Sequence, residues 1–232
     1  WVQPVLDKGN RVVVIVSDAL RYEIADELLS LIRKEDRYTG ELDAMMSMLP
    51  SYTQLGMASL LPGSELVLAD DSSGKVFVDG AASSGTANRE AILQKSHARS
   101  RALKAEELMS LGRDEGRELL KQNDVVYIYH NRIDSIGDKR ETEESVFEAV
   151  EDAMSDLIQI VKKLSNFNAS AILVTSDHGF IYQSKPIAES DFAGGAAQGD
   201  SILYHHRRFV LGKGLREEAG FKKYTSAELG LT

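Results

Sequence analysis

The sequence predicts an α/β fold in which helices flank a mostly parallel central sheet. Three short, largely apolar runs at 11–16, 124–129 and 171–174 are typical of strands buried on both faces. Between the last two runs, apolar residues from Val146 to Leu164 recur at the spacing of a long amphipathic helix. A strand, a long helix and a strand in this order indicate a right-handed parallel crossover.

The size and composition describe one globular domain. Of the 232 residues, 43% are apolar and 27% are charged, and no run approaches the ~18 apolar residues that span a bilayer. We therefore expect residues 1–232 to form a single domain with no membrane partner. Trp1 leads into the chain without an initiator Met or a signal peptide, so we expect a domain excised from a longer, cytoplasmic protein.

The cysteine count and the net charge restrict the chemistry. The chain has no cysteine, which excludes disulfides and thiolate metal sites and suits a reducing compartment. Any bound metal must therefore use oxygen and imidazole ligands. The net charge of −9 argues against a protein that binds nucleic acid over its whole surface. It permits an enzyme whose bound cations and arginines attract phosphate locally.

The first predicted strand passes directly into a helix. Ser17 and Asp18 follow the run at 11–16, and apolar residues from Leu20 to Ile32 then recur at helical spacing. An aspartate at such a junction is most often the N-cap of the helix. Taken alone, Asp18 is best explained in that way.

The next segment contains a predicted strand and a short helix. Apolar residues alternate from Leu42 to Met48, which predicts a strand that ends at Pro50. Thr53 then begins a short, mostly apolar helix that reaches Leu61. A hydroxyl at this position is either a plain helix cap or a nucleophile held in the positive field of the helix dipole. The cap is the more frequent use.

A hairpin and a polar helical block occupy the middle of the chain. Two apolar runs at 66–68 and 75–78 flank a loop that contains Gly74, which predicts a β-hairpin. Charge-mixed helices are expected from about residue 87 to residue 122. The block 81–122 is either a helical cap over the sheet or an insert that packs on one side.

Two acidic residues follow the strand predicted at 124–129. Asp134 and Asp138 flank Gly137, a spacing that lets two carboxylates converge on one cation from a loop or a single turn. The alternative is a solvated acidic loop, which is common on protein surfaces.

The strand predicted at 171–174 ends in a pair of good metal ligands. Asp177 and His178 follow it, and Gly179 then lets the backbone turn sharply. The carboxyl ends of buried strands are where open α/β sheets place their chemistry. The alternative is an Asp/Gly turn that contains a hydrogen-bonded histidine.

The last candidate ligand is one of two adjacent histidines. His205 and His206 precede a short strand predicted at 209–211, and Arg207 and Arg208 lie between. Neighbouring side chains of extended chain face opposite ways, so at most one histidine can be a ligand. The alternative is a surface patch of histidines and arginines.

These side chains gain significance from their shared topology. The carboxyl ends of parallel strands lie along one edge of a sheet, so the groups that follow the three strands should cluster. Several carboxylates in a partly buried cluster repel one another and raise their own pKa values unless cations intervene. Five to seven oxygen and nitrogen ligands suit two ions ~3.5–4 Å apart, which stabilise in-line displacement at phosphorus. Thr53 would be the attacking group.

Four segments in this order resemble a known family. Val-Ser-Asp-Ala-Leu-Arg-Tyr-Glu at 16–23, Leu-Pro-Ser-Tyr-Thr at 49–53, and the segments 129–138 and 175–182 are similar to the PglZ domain of the alkaline phosphatase superfamily. The resemblance covers about residues 8 to 215. It implies an alkaline-phosphatase-like core with a two-metal phosphohydrolase site.

The resemblance also implies two sets of ligands. The first ion would be held by Asp18, Thr53, Asp177 and His178. The second would be held by Asp134, Asp138 and a late histidine, for which we choose His206 over His205. The superfamily often has a histidine where this chain has Asp138, and this departure leaves zinc and manganese both suitable.

The leading hypothesis is a phosphodiesterase or nuclease that acts on DNA, RNA or nucleotides. PglZ proteins are associated with phage defence of the BREX type, which implies other BREX subunits as partners. Thr53 would attack phosphorus, and Arg21, Asn131 and either Arg207 or Arg208 would hold non-bridging oxygens. The alternatives are a phosphomonoesterase or phosphomutase acting on a small metabolite, and a non-catalytic metal-stabilised scaffold.

Overall fold

The computed structural model describes residues 1–35, 37–137, 146–181, 195–206, 208–218 and 220–231. Its elements in chain order are α1 (Val2–Leu6), β1 (Val12–Ser17), α2 (Tyr22–Arg33), α3 (Thr53–Ser59), β2 (Leu66–Leu68), β3 (Val76–Val78), β4 (Ala81–Ala82), α4 (Thr86–Ser96), β5 (Ser100–Lys104), α5 (Ala105–Ser110), α6 (Arg113–Gln122), β6 (Val125–His130), α7 (Arg132–Gly137), α8 (Val146–Asn166), β7 (Ile172–Thr175), β8 (Ser201–His205) and β9 (Val210–Lys213). A short 3₁₀ helix, Ala227–Leu229, follows.

The central sheet is parallel, and β1 lies inside it. Four strands pair in the order β5-β6-β1-β7, and each neighbouring pair is parallel. Every residue of β1 and of β6 is buried, as expected for apolar strands covered on both faces. The sheet confirms the predicted α/β class, and α8 connects β6 to β7 as the crossover helix.

The two faces of the sheet carry separate cores. Val13 and Ile15 pack with α2, α5, α6 and α8 on one face. Val14 and Val16 pack with α3, α4 and β3 on the other face. No helix in the described ranges is long and apolar enough to cross a membrane.

Two expectations about secondary structure are wrong. The block at 87–122 contains a strand, β5, at the edge of the sheet, and its polar sequence hides the buried Ser100, Ala102 and Leu103. The alternating segment 42–48 forms no strand in the described part of the chain, and Met46 there is 95% exposed. Alternation predicts a strand only where a neighbouring strand accepts its hydrogen bonds.

Two hairpins accompany the sheet. The predicted hairpin is present as antiparallel β2 and β3, to which β4 is added. The late hairpin of β8 and β9 packs on the start of α3, because Tyr204 and Phe209 contact Tyr52 with ring centroids 6.0 and 5.1 Å apart. The hairpin therefore lies beside Thr53.

Leu157 tests the packing of α8 on the sheet. Its side chain is fully buried in the first core, so Leu157→Ala leaves a cavity and should lower the free energy of unfolding by about 3 kcal/mol. Urea denaturation followed by circular dichroism measures the change. The control is Glu151→Ala on the exposed face of the same helix, which should change stability by less than about 0.5 kcal/mol. Equal losses in both variants would contradict the placement of α8.

Candidate metal centre

Asp18 lies at the point where β1 leaves the sheet. Its backbone N–H donates to the carbonyl oxygen of His130 at 2.8 Å, which continues the pairing of β1 with β6 by one residue. Ala19 follows with a positive φ of 64°, and the chain turns there. Helix α2 begins only at Tyr22 with Arg21 as its N-cap residue, so the simple capping explanation of Asp18 is wrong. The Asp18 carboxylate is buried and does not cap the helix.

Asp177 and His178 lie on the loop after β7 and are both buried. The backbone N–H of Ala19 donates to Asp177 Oδ1 at 3.3 Å, which links the two strand ends. The Ser176 hydroxyl donates to the carbonyl oxygen of His178 at 2.6 Å and fixes the loop. Because β1 and β7 are parallel neighbours, their carboxyl ends bring the two aspartates together.

The three buried side chains converge closely. His178 Nε2 lies 3.5 Å from Asp18 Oδ1 and 3.5 Å from Asp177 Oδ2. One ligand atom from each of the three residues lies within 4.8 Å of the others. Asp18 Oδ1 and Asp177 Oδ2 are buried and have no hydrogen-bond partner in the described ranges. Two orphaned carboxylate oxygens beside an imidazole nitrogen form a donor set that fits a divalent cation.

The orientation of His178 determines which nitrogen faces the cluster. Its Nδ1 lies 2.8 Å from the carbonyl oxygen of Gly179. A carbonyl oxygen can only accept, so Nδ1 carries the proton in this hydrogen bond. In the neutral imidazole, the lone pair of Nε2 is then directed at Asp18, Asp177 and Thr53. This is the tautomer that a metal ligand needs.

Thr53 is held next to this lone pair. Its Oγ1 lies 3.1 Å from His178 Nε2. Thr53 is the first residue of α3, whose N-cap is Tyr52, so the threonine hydroxyl does not act as the cap. Three residues on, a Cβ at Gly56 would lie only 2.5 Å from the carbonyl oxygen of Asp177. The glycine allows α3 to approach the Asp177 loop closely and places Thr53 in the cluster.

The electrostatics of the cluster disfavour carboxylates without a cation. Burial raises the pKa of Asp18, and the charges of Asp177 and Asp134 raise it further. Burial also raises the pKa of Asp177, and this shift is partly opposed by the charge that His178 carries when protonated and by backbone N–H groups such as that of Ala19. Each carboxylate is therefore costly to ionise where it lies, and a bound divalent cation would remove that cost.

The residues expected at a second ion are only partly described. Asp134 lies half-buried on α7, close enough for its charge to act on Asp18. His206 follows β8, and its ring stacks on Phe209 with centroids 4.8 Å apart, whereas His205 is exposed. Asp138 lies outside the described residues, so the second ligand set stays a prediction.

The expected phosphate-binding residues lie in different places. Arg21 forms an ion pair with Glu23, and its guanidinium lies over the Phe180 ring at 4.9 Å. Asn131 is exposed and lines a cavity of about 500 Å³ that contains none of Asp18, Asp177 or His178. Arg208 is exposed, and Arg207 lies outside the described residues.

A buried network behind Asp18 was not anticipated from the sequence. The Ser17 hydroxyl lies 3.0 Å from His130 Nδ1, and His130 Nε2 lies 3.4 Å from Asp156 Oδ2. Burial lowers the pKa of His130. The network joins the ends of β1 and β6 to α8 and supports the backbone that carries Asp18. Its only sequence signal is that Ser17 and His130 each end a strand.

A second residue that sequence reasoning missed is Arg89 of α4. It is buried, and its positive charge lowers the pKa of Asp18 against the larger opposing effects. In the sequence Arg89 is one charge within a polar helical stretch, and nothing there distinguishes it from a surface arginine.

Comparisons with known proteins identify the family of the chain. Residues 1–232 match the family model of the BREX system PglZ alkaline phosphatase-like domain. The chain is 41% identical over 204 residues to the alkaline phosphatase-like protein BrxZ of Escherichia coli O9:H4 (strain HS). The aligned region covers 88% of the chain and 23% of that protein. It is 42% identical over 192 residues to the alkaline phosphatase-like protein PglZ of Bacillus cereus (strain H3081.97), with 82% and 22% covered. The chain thus spans less than a quarter of either relative.

Asp18→Asn tests the electrostatic cost of the cluster. In the folded state the pKa of Asp18 is raised above its unfolded value of 3.8. In the metal-free protein this carboxyl group therefore lowers the free energy of unfolding progressively as the pH rises above about 4. The metal-free variant should therefore melt about 4 °C or more above metal-free wild type at neutral pH, and this gap should close on acidification. Zn²⁺ or Mn²⁺ should raise the melting temperature of wild type more than that of the variant.

The matched control is Asp26→Asn on the exposed face of α2. It should melt like wild type with and without metal. A metal-free Asp18→Asn protein that melts below wild type at neutral pH would contradict the electrostatic explanation.

Proposed function

Because the chain belongs to the PglZ family of BREX alkaline phosphatase-like domains, we propose that it is a metal-dependent phosphohydrolase that cleaves phosphodiester bonds in nucleic acid or nucleotides. The observation that carries the proposal is the 3.1 Å approach of Thr53 Oγ1 to His178 Nε2, within a buried cluster of two carboxylates. A hydroxyl beside a cation-binding cluster has the arrangement of an activated nucleophile.

The residues divide into two ligand sets in this proposal. The ligands of the first ion are Asp18, Thr53, Asp177 and His178. The ligands of the second ion are Asp134, Asp138 and His206. When bound, such ions offset the charge of the phosphate oxygens and favour ionisation of a coordinated hydroxyl. Zinc and manganese both suit the oxygen and imidazole donors.

Thr53 acts as the nucleophile. The Thr53 hydroxyl gives up its proton as Oγ1 attacks phosphorus, the bond to one ester oxygen breaks, and that oxygen takes up a proton and leaves as an alcohol. Water then attacks the phospho-threonine, which restores the Thr53 hydroxyl and releases a phosphomonoester. The hydrogen bond from His178 Nδ1 to Gly179 keeps the imidazole oriented throughout.

The space beside the cluster supports an ester with a sizeable organic group. A cavity of about 330 Å³ borders His178. Leu42, Met45 and Phe180 supply apolar walls, and the ion-paired Arg21 and Glu23 also line the cavity, together with Asp43. A nucleoside attached to the phosphate would find an apolar surface there.

The cellular role follows from the family. We propose that the domain works within a longer cytoplasmic protein in BREX phage defence, together with other BREX subunits. Its substrate there would be DNA, RNA or a nucleotide. A phosphomonoesterase and a metal-stabilised scaffold are the alternatives that the assay below distinguishes.

Thr53→Ala and Asp177→Ala test the proposal directly. The protein is stripped with a chelator, reloaded with Mn²⁺ or Zn²⁺, and assayed with bis-p-nitrophenyl phosphate and with p-nitrophenyl phosphate. Wild type should prefer the diester, and each variant should lose about 100-fold or more in kcat/KM because the nucleophile or a ligand is missing.

The matched control is Thr86→Ala, which changes the first residue of α4 as Thr53→Ala changes the first residue of α3. It should retain full activity. A preference for the monoester would support the phosphomonoesterase. A protein that gains melting temperature with metal but hydrolyses neither ester would support the scaffold.

A further inference from the structure

Arg89 is a buried cation on the same face of the sheet as Thr53. It lies on α4 and is 8% exposed. Its Nε donates to the carbonyl oxygen of Ser83 at 3.0 Å, and its guanidinium carbon lies 4.6 Å from the centroid of the Tyr129 ring. A backbone acceptor and a stacked ring together hold the guanidinium in one orientation.

The contacts of Arg89 with described residues include no carboxylate within ion-pair distance. A buried guanidinium in direct contact with no carboxylate is costly, and an anion bound against it would offset that cost. Tyr129 adds a buried hydroxyl that has no hydrogen-bond partner of normal geometry in the same ranges, although the Arg89 side chain lies close enough to act on its pKa. Burial raises the pKa of Tyr129, so the hydroxyl keeps its proton and can donate it.

Arg89 and Tyr129 lie close to the cluster of Asp18, Asp177 and His178. Tyr129 is the register partner of Val16 in the β1–β6 pair, two residues before Asp18. The Ser84 hydroxyl donates to Gln54 Oε1 at 2.9 Å, which ties the loop before α4 to the residue after Thr53. The charge of Arg89 also reaches Asp18. The described arginines Arg21 and Arg132 are, by contrast, already paired with Glu23 and Asp156.

We propose that Arg89 and Tyr129 form an oxyanion subsite that binds the non-bridging oxygens of the phosphoryl group attacked by Thr53. The planar guanidinium presents paired N–H donors that match phosphate oxygens, and the tyrosine hydroxyl adds one more donor. The subsite rests on the proposed phosphohydrolase function and deepens it. Inorganic phosphate, which carries the same oxygens, should therefore compete with substrate.

Inhibition by inorganic phosphate tests the subsite on the metal-loaded protein. We compare wild type with Arg89→Met, Arg89→Lys and Tyr129→Phe, using bis-p-nitrophenyl phosphate as substrate. Arg89→Met should weaken phosphate inhibition about tenfold or more and lower kcat/KM about 100-fold. Arg89→Lys should lie between wild type and Arg89→Met, and Tyr129→Phe should lose a few-fold. Millimolar guanidinium ion should partly restore Arg89→Met, which a merely structural arginine would not allow.

Arg113→Met, at the exposed first residue of α6, serves as the control and should match wild type. If Arg89→Met fails to fold by circular dichroism, Arg89→Lys and Tyr129→Phe decide the result. Active variants with wild-type phosphate inhibition and wild-type kcat/KM would overturn the subsite alone. A metal-loaded wild type that hydrolyses neither ester, and binds no phosphate by calorimetry, would overturn both the subsite and the proposed function.

Discussion

The burial of Asp18 and Asp177 side by side is the constraint on which the candidate site depends. Both carboxylates are buried, and each has one oxygen without a described partner. Burial raises the pKa of both, and the charge of Asp177 raises that of Asp18 further. Buried carboxylates of this kind are tolerated where a bound cation compensates their charge. The tautomer of His178, the position of Thr53 and the charge of Arg89 would fit one arrangement around such a cation.

The parallel sheet is what makes the arrangement possible. β1 lies between β6 and β7, so the residues after all three strands emerge along one edge. Asp18 follows the inner strand and therefore meets groups from both sides. Asp177 reaches it from β7, and the influence of Asp134 reaches it from the helix after β6. A different strand order would keep every sequence motif but would separate the side chains that follow these three strands.

The buried strands and the cluster of Asp18, Asp177 and His178 could be predicted because they depend on local patterns. An apolar run followed at once by polar residues marks the end of a strand inside a parallel sheet. β5 was missed since an edge strand needs fewer apolar residues than a central strand, and its alternation is weak. Arg89 could not be recognised from the sequence, because its burial depends on the packing of α4 against Tyr129. The expected strand at 42–48 failed for the related reason that hydrogen-bonding partners are a tertiary property.

The close approach of α3 to the Asp177 loop restricts how a substrate could reach the site. With no side chain at Gly56, the backbone of α3 lies directly against the carbonyl group of Asp177, so helix and loop leave no gap between them. A substrate or product would therefore not pass between α3 and the Asp177 loop. Under the proposed function, substrate would enter through the cavity beside His178, whose rim includes the exposed Met45.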